Sequence, residues 1–256
     1  MNGKVEKKME PCAVEIEELT KTFGGVHAVE KVTLKVPVGQ RRVLIGPNGA
    51  GKTTLFNCIT GNMPPTSGRI FLFGKEVTHL AEHRRTAMGL GRTYQITNVF
   101  QDLTVLENII LSIQGTSRKK WVFSRSVKSF PEISDQAAAE LDRVGLKHRQ
   151  SDSIHLLSYG ERRQLELALA LASRPRVLFL DEPCSGLSPS ERQRIFNTIA
   201  QLPREITIVC IEHDMQVALG LADQVAVLHR GHLILEGTPD EVKLNPEVRE
   251  VYLGKV

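Results

Sequence analysis

The N-terminal part of the chain alternates apolar and polar side chains. The alternation is clearest over residues 14–19 and 32–36 and is the pattern of half-exposed antiparallel strands. A turn is expected at 64–68, and a further strand at 69–73 ends before Gly74. We therefore predict that a small antiparallel sheet opens the fold.

The C-terminal part carries a different pattern, in which short continuous apolar runs alternate with helical patterns. This order favours a parallel sheet. Between the two parts, residues 95–157 are rich in amphipathic helical pattern, most clearly at 105–111 and 137–144, and predict a helical insertion. The elements expected beyond it are strands at 177–180 and 206–211, helices from 188 and at 215–222, a hairpin of 225–228 with 233–235 around Arg230-Gly231, and short helices at 237–242 and 246–252.

A glycine-rich run follows the apolar residues 43–45 and fits the phosphate-loop pattern G-x-x-x-x-G-K-[ST] at every fixed position. Its glycines let backbone N–H groups point inward, and a helix that begins at Lys52 would direct its N-terminal dipole toward the bound anion. Lys52 supplies a charge for the β- and γ-phosphates, and Thr53 supplies a hydroxyl for Mg²⁺. The predicted nucleotide-binding residues are Gly46, Pro47, Asn48, Gly49, Ala50, Gly51, Lys52, Thr53 and Thr54.

Two adjacent carboxylates, Asp181 and Glu182, end the apolar run at 177–180. A buried parallel strand delivers such groups to its carboxyl edge, where nucleotides bind in α/β sheets. We therefore predict that Asp181 holds Mg²⁺ and that Glu182 polarises the attacking water.

A second anion-binding helix end is predicted at Leu157-Ser-Tyr-Gly-Glu161, directly before the strongly helical residues 162–172. With this motif the chain resembles the ATP-binding subunits of ABC transporters, whose signature reads L-S-G-G-Q. The resemblance extends from about residue 14 to 254 and includes the order of phosphate loop, signature, Asp-Glu strand and a later histidine. It implies that Ser158 and Gly160 contact ATP.

The resemblance also implies a fold and its division. The fold is an α/β P-loop NTPase with a RecA-like parallel sheet core, an antiparallel β subdomain and a helical insertion. Residues 1–256 then form a single ATP-binding domain, in which about 14–94 and 166–254 make the catalytic core and about 95–165 the helical signature subdomain. A length of 256 residues suits one such domain.

Further roles follow from the resemblance. Phe23 matches the aromatic residue that stacks on adenine, Gln95 the glutamine that reaches Mg²⁺ and the attacking water, and His213 the histidine that contacts the γ-phosphate. Residues 185–188, called the crossing loop below, match the loop that crosses the dimer interface in family members. Each residue also has an ordinary alternative: Phe23 as a core aromatic, Gln95 as a polar loop residue, and His213 as a satisfied strand-end histidine.

Two positions depart from the family pattern. The crossing loop of family members usually ends in Asp, where this chain has Ser188, which retains a hydrogen-bonding group without the charge. Tyr159 replaces a glycine of the signature. We expect its side chain to point away from the nucleotide, because Ser158 and Gly160 keep the donors.

The segment 98–108 and the tail 245–254 look like those of ATPases that serve importers of branched-chain amino acids. Urea importers and the lipopolysaccharide-export ATPase share much of this pattern. The resemblance implies ATP and Mg²⁺ as cofactors, a second ATPase subunit in a homodimer or heterodimer, and transmembrane permease subunits as partners. The chain is then cytoplasmic and peripheral at the inner face of the cell membrane, which it contacts only through partner subunits.

Two other classes of function compete with a transport motor. Soluble ABC ATPases that act on ribosomes or DNA usually carry two nucleotide domains or a long coiled-coil insertion, and this chain has neither. A P-loop small-molecule kinase would leave the signature and His213 unused. The transport ATPase is therefore the favoured interpretation.

Composition agrees with that interpretation. With 33 basic and 29 acidic residues the net charge is +4, which does not call for a nucleic acid partner. The cysteines Cys12, Cys58, Cys184 and Cys210 lack metal-site spacing and fit a reducing compartment. No apolar run approaches the length of a membrane span, and the N-terminal residues lack a signal-peptide core.

Overall fold

A computed structural model of the chain describes residues 12–93, 99–116 and 131–253. Its strands form a four-stranded antiparallel sheet of order β2-β1-β4-β5 and a six-stranded sheet of order β10-β9-β3-β8-β7-β6. The strands are β1 Cys12–Phe23, β2 Val26–Pro37, β3 Arg41–Ile45, β4 Ser67–Leu72, β5 Lys75–Glu76, β6 Leu90–Arg92, β7 Val177–Asp181, β8 Thr207–Ile211, β9 Gln224–His229 and β10 His232–Gly237.

The six-stranded sheet is parallel except for its last strand. Strands β9, β3, β8, β7 and β6 run in one direction, and β10 pairs antiparallel with β9. Their carboxyl ends therefore meet at one edge. The phosphate loop leaves this edge from β3 and the Asp181–Glu182 pair leaves it from β7.

The helices cover this sheet and form the insertion between β6 and β7. No helix among the described residues has the length and apolarity that a membrane span requires. The helices are α1 Lys52–Thr60, α2 Glu82–Ala87, α3 Val105–Thr116, α4 Pro131–Arg143, α5 Tyr159–Ala172, α6 Pro189–Ala200, α7 Met215–Leu221, α8 Pro239–Leu244 and α9 Pro246–Leu253.

The two faces of the parallel sheet pack into two hydrophobic clusters. Leu178 and Leu180 of β7 join the helices of the insertion and of the C-terminal half. Phe179, which points to the opposite face, packs with α1 and the small sheet, and its ring meets Phe56 edge-on at 5.0 Å between centroids. Successive residues of a strand face opposite sides, so buried strands read as continuous apolar runs.

The structure confirms the predicted α/β fold and its main elements, including the antiparallel sheet, the helix from Lys52 and the hairpin around Arg230-Gly231. The predicted strand at 69–73 is shifted, because the observed strand starts at Ser67 and ends at Leu72. Phe73 leaves it with a φ of 50°, a turn conformation. Three short elements, β5, α2 and β6, are absent from the prediction.

Candidate functional site

The phosphate loop is shaped by three glycines with positive φ, and at two of them a Cβ would collide with neighbouring backbone. Gly46, Gly49 and Gly51 have φ values of 152°, 79° and 100°. A Cβ at Gly46 would lie 2.2 Å from the carbonyl oxygen of Leu228, and a Cβ at Gly51 would lie 2.2 Å from that of Ala28. The loop therefore packs backbone against backbone, with the β2 strand and the end of β9 as its walls.

Hydrogen bonds fix the same loop from the β9–β10 hairpin. The Gly231 N–H donates to the Ala50 oxygen at 3.0 Å, and the Glu30 N–H donates to the Gly231 oxygen at 2.8 Å. Within the loop, the Ala50 N–H donates to the Pro47 oxygen at 3.1 Å. The cradle is thus formed in the chain itself, and the N-terminus of α1 follows directly.

Lys52 lies across this cradle. Its Nζ donates to the Gly46 oxygen at 2.6 Å and to the Pro47 oxygen at 3.1 Å, and the residue is almost fully buried. Burial lowers the pKa of Lys52, while the nearby carboxylates of Glu182 and Asp181 raise it. The ammonium group is therefore held between the phosphate loop and the acidic end of β7, where the phosphate chain of a nucleotide would lie.

Asp181 is a buried carboxylate with unused binding capacity. It is 3% exposed, and among the described residues its Oδ1 has no hydrogen-bond partner. Burial raises the pKa of Asp181, against the charge of Arg92. An unpartnered buried carboxylate oxygen fits a hard divalent cation, because Mg²⁺ binds one or two protein oxygens together with substrate phosphates. Thr53, at the start of α1, is exposed.

Glu182 stands in a strained backbone conformation next to His213. Its φ is 47°, which costs a non-glycine residue about 1–2 kcal/mol. Its N–H donates to the Ile211 oxygen at 3.0 Å, and its Oε2 lies 3.5 Å from Nδ1 of His213. The half-buried carboxylate and the half-exposed imidazole thus face the site together, as strained residues do at functional sites.

Glu212, which the sequence analysis did not single out, lies buried behind this pair. Its Oε1 accepts a hydrogen bond from the Cys184 N–H at 3.3 Å, and among the described residues its Oε2 has no partner. Burial raises the pKa of Glu212 to about 7. The rule that identified Asp181–Glu182, a carboxylate directly after a buried apolar strand, applies equally to Glu212 after β8.

The signature residues form the exposed N-terminus of α5. Ser158 is the N-cap, and its hydroxyl accepts from the Glu161 N–H at 3.2 Å while the Glu161 carboxylate accepts from the Ser158 N–H at 2.8 Å. Gly160 is buried against Glu191, whose Oε1 would lie 2.1 Å from an added Cβ. The side chains of Ser158 and Tyr159 face solvent, so this helix end is open to a ligand from outside the chain.

Phe23 ends β1 at the tip of the β1–β2 hairpin, paired with Val26. The residue is 47% exposed, and the ammonium group of Lys21 lies over its ring, 5.0 Å from Nζ to the ring centroid. This exposure excludes a core aromatic and leaves a ring face available for stacking. Gln95 lies outside the described residues.

Comparisons with known proteins identify the family of the chain. A family model described as ABC transporter matches residues 29–185, and one described as branched-chain amino acid ATP-binding cassette transporter matches residues 232–256. The high-affinity branched-chain amino acid transport ATP-binding protein BraF of Pseudomonas aeruginosa is 39% identical over 249 residues, which span 94% of this chain and 98% of that protein.

Solved structures show the same fold. An ATP-binding cassette of an ABC transporter in its ADP conformation superposes with a TM-score of 0.83 at 30% identity, over 95% of this chain and 99% of that one. A dimeric bacterial ABC transporter cassette gives 0.77 at 25% identity, over 88% and 98%. The chain therefore belongs to the ABC transporter family, as one of its ATP-binding, ATP-hydrolysing subunits.

Proposed function

We propose that this chain is the motor subunit of an importer for branched-chain amino acids. The observation that carries the proposal is the meeting of Lys52, Asp181, Glu182 and His213 at one sheet edge beside a preformed phosphate cradle. The solute is inferred from the similarity to the named branched-chain amino acid transport protein and from the C-terminal family match.

Mg²⁺ is held in this proposal by the Thr53 hydroxyl, by Asp181 and by Gln95. The buried, unpartnered Oδ1 of Asp181 supports the assignment. When bound, the cation neutralises charge on the β- and γ-phosphates. Lys52 adds a second positive charge to the same phosphates, and the loop N–H groups bind their oxygens.

Glu182 acts as the general base in this proposal. Its carboxylate accepts a proton from the water that attacks the γ-phosphate, and His213 contacts that phosphate from the neighbouring strand end. The 3.5 Å separation of Glu182 Oε2 and His213 Nδ1 supports a shared task. Phe23 stacks on the adenine from the small sheet.

Replacement of Glu182 by Gln tests the base. The amide keeps the size of the side chain and cannot take the proton, so Glu182→Gln should bind ATP with unchanged affinity and hydrolyse it at least about 100-fold more slowly, in line with general-base contributions. Binding is measured with a fluorescent ATP analogue and turnover by phosphate release. Turnover near the wild-type rate would refute the assignment.

The working unit in this proposal is a dimer of ATPase subunits that face each other. ATP is bound between the phosphate loop of one subunit and Ser158 and Gly160 of the other. Permease subunits dock on the helical part near residues 95–103, which places the chain at the inner face of the membrane. The proposed division into a core of 14–94 and 166–254 and a helical part of 95–165 cuts through α5, so this helix joins the two parts.

Complementation tests the shared site. A Lys52→Ala chain and a Ser158→Arg chain each lack a complete site as homodimers, whereas a mixed dimer has one site, built from the second chain's loop and the first chain's signature. ATPase activity should therefore reappear on mixing. Full activity of Ser158→Arg alone would refute the shared site, and recovery only after adding a sister ATPase would show a heterodimer.

Uptake tests the solute. Cells that carry the transporter with wild-type chain should accumulate radiolabelled leucine, and cells with Lys52→Ala should not, since the motor cannot bind ATP tightly. Urea uptake serves as the comparison. Loss of urea uptake with normal leucine uptake would overturn the branched-chain assignment and leave the ATPase assignment intact.

A further inference from the structure

Tyr159, the residue that departs from the family signature, lies on the crossing loop of its own chain. Gly186 has a φ of 71°, and a Cβ added there would lie 3.2 Å from the Tyr159 ring. The Tyr159 hydroxyl donates to the Ser185 oxygen at 3.4 Å. A glycine at position 159 would make neither contact. Although 54% exposed, the side chain is thus seated on two consecutive loop residues.

That part of the loop is connected directly to the proposed general base. The Ser185 N–H donates to the Glu182 oxygen at 3.1 Å, which closes a turn that starts at Glu182. The Cys184 N–H inside this turn donates to the buried Glu212. Only Pro183 and Cys184 therefore separate Glu182, the proposed base, from Ser185, which accepts the Tyr159 hydrogen bond.

The far end of the crossing loop is also seated on the signature. Glu191 accepts from the Ser188 N–H at 3.0 Å and from the Ser188 hydroxyl at 2.6 Å through Oε2. Its Oε1 lies over Gly160, at the place that a Cβ would occupy. Both ends of the crossing loop thus rest on the consecutive signature residues Tyr159 and Gly160.

Arg163 also contacts the Tyr159 side chain. The Nε of Arg163 donates to the Tyr159 hydroxyl at 3.3 Å, and its guanidinium carbon lies 5.6 Å from the ring centroid. Arg163 is itself anchored by Glu166 at 2.9 Å. A side chain held by such contacts can transmit a displacement, whereas a freely rotating one cannot.

We propose that Tyr159 is a positioning residue that couples the signature to Glu182 within one chain. The inference rests on the proposed dimer, in which the signature contacts the partner's ATP. When the dimer closes on that ATP, residues Ser158–Gly160 are displaced. The Tyr159 ring, packed on Ser185 and Gly186, moves these two residues, and the turn that they share with Glu182 moves the carboxylate. Each chain thereby aligns its own base when its signature engages the other nucleotide.

Steady-state kinetics of full-length chains test the coupling. Tyr159→Ala removes the ring and should lower kcat by about tenfold while KM for ATP stays within about twofold, because misplacement of a catalytic group by a fraction of an ångström has effects of this size. Tyr159→Phe keeps the ring on Gly186 and should retain most of the wild-type kcat. Leu244→Ala, which removes another exposed large apolar side chain, is the matched control and should match wild type.

Hydrogen exchange tests the contact without any dimer. In the nucleotide-free chain, the amides of 185–187 should exchange faster in Tyr159→Ala than in wild type, Tyr159→Phe or Leu244→Ala. Unchanged exchange, an unchanged kcat in Tyr159→Ala, or a raised KM at constant kcat would each overturn the inference. A wild-type chain without ATPase activity would instead refute the proposed function, and the exchange data would still decide the contact.

Discussion

The phosphate loop and the signature both lie at a helix N-terminus, yet they are built in opposite ways. The loop is walled by backbone, since Gly46 and Gly51 pack on carbonyl groups and Lys52 is buried within it. Ser158 and Tyr159 of the signature are exposed, and the Tyr159 side chain rests on the crossing loop. One site is formed within the chain, and the other is open on its surface.

This difference indicates how rigidly each motif is held. A cradle that is fixed by its own chain binds anions without rearrangement. An exposed helix end that rests on a loop can respond to what docks on it, because a loop has fewer constraints than a packed strand. The predictions below test these two modes of construction, in order of decreasing effect.

Substitution of Gly51 should damage the cradle most. Gly51→Ala forces a Cβ against the Ala28 oxygen and strains a φ of 100°, which together should lower the free energy of unfolding by about 2–5 kcal/mol. Gly49→Ala is the matched control, because its φ is 79° while no atom lies within 4 Å of its Cβ. It should cost only about 1–2 kcal/mol. Equal losses in urea denaturation would show that the walls do not constrain the loop.

Lys52→Ala should abolish tight ATP binding without unfolding the chain. A charge-assisted contact is worth about 1.5–3 kcal/mol, which is roughly a 10- to 100-fold rise in Kd. Titration with a fluorescent ATP analogue measures it. Ser158→Ala in the isolated chain is the comparison and should leave the Kd unchanged, since in the proposed dimer the signature contacts the ATP of the other subunit. An unchanged Kd for Lys52→Ala would mean that the loop is only a turn.

Much of the fold and site could be predicted because the signals are local. A glycine pattern specifies the phosphate loop, and an apolar run ending in Asp181–Glu182 specifies a buried strand with two carboxylates at its carboxyl end. The capped helix from Ser188 follows from a serine and a proline, and the structure places Ser188 as the N-cap of α6. Each of these features depends on residues adjacent in the chain.

Other features depend on partners that are distant in sequence. The three-residue strand β6 is defined by pairing with β7, more than 80 residues away, and its own residues carry no strand pattern. The sequence predicts that the Tyr159 side chain points away from the nucleotide, and it does not predict what this side chain contacts. Its contacts with Ser185 and Gly186 depend on how α5 packs against the crossing loop. A carboxylate directly after the apolar strand β8 is visible in the sequence, but the raised pKa of Glu212 depends on how deeply the fold buries it.

The buried Glu212 should make the chain less stable as pH rises. Its pKa is about 7 in the folded chain, above its ordinary value of 4.5, so folding takes up a proton between these values. Stability therefore falls as pH rises from about 4.5 to about 7 and stays lower above that range. Glu212→Gln removes this dependence and should raise the free energy of unfolding at pH 8 by about 1–3 kcal/mol.

Urea denaturation at pH 5 and pH 8 measures this difference. Glu205→Gln, at an exposed position, is the control and should follow the wild-type pH dependence. The carboxylate of Glu182 raises the pKa of Glu212, and His213 lowers it. Substitution of either residue should therefore shift the pH range over which stability changes. An identical pH dependence of Glu212→Gln and wild type would contradict a protonated Glu212 in the folded chain.

The smallest effects on stability are expected from substitution of the two N-cap serines. Comparing stability with turnover in these variants separates helix capping from a role in ATP hydrolysis. Ser158 and Ser188 each begin a helix through a capping box, so Ser158→Ala and Ser188→Ala should each lower the free energy of unfolding by about 1 kcal/mol. Ser188→Asp, the residue usual in the family, should be neutral, because Asp and Ser cap equally well. Of these variants, Ser158→Ala should give the largest loss of turnover, since in the proposed dimer only the hydroxyl of Ser158 contacts a nucleotide. Equal turnover losses in Ser158→Ala and Ser188→Ala would mean that the signature serine acts through the helix alone.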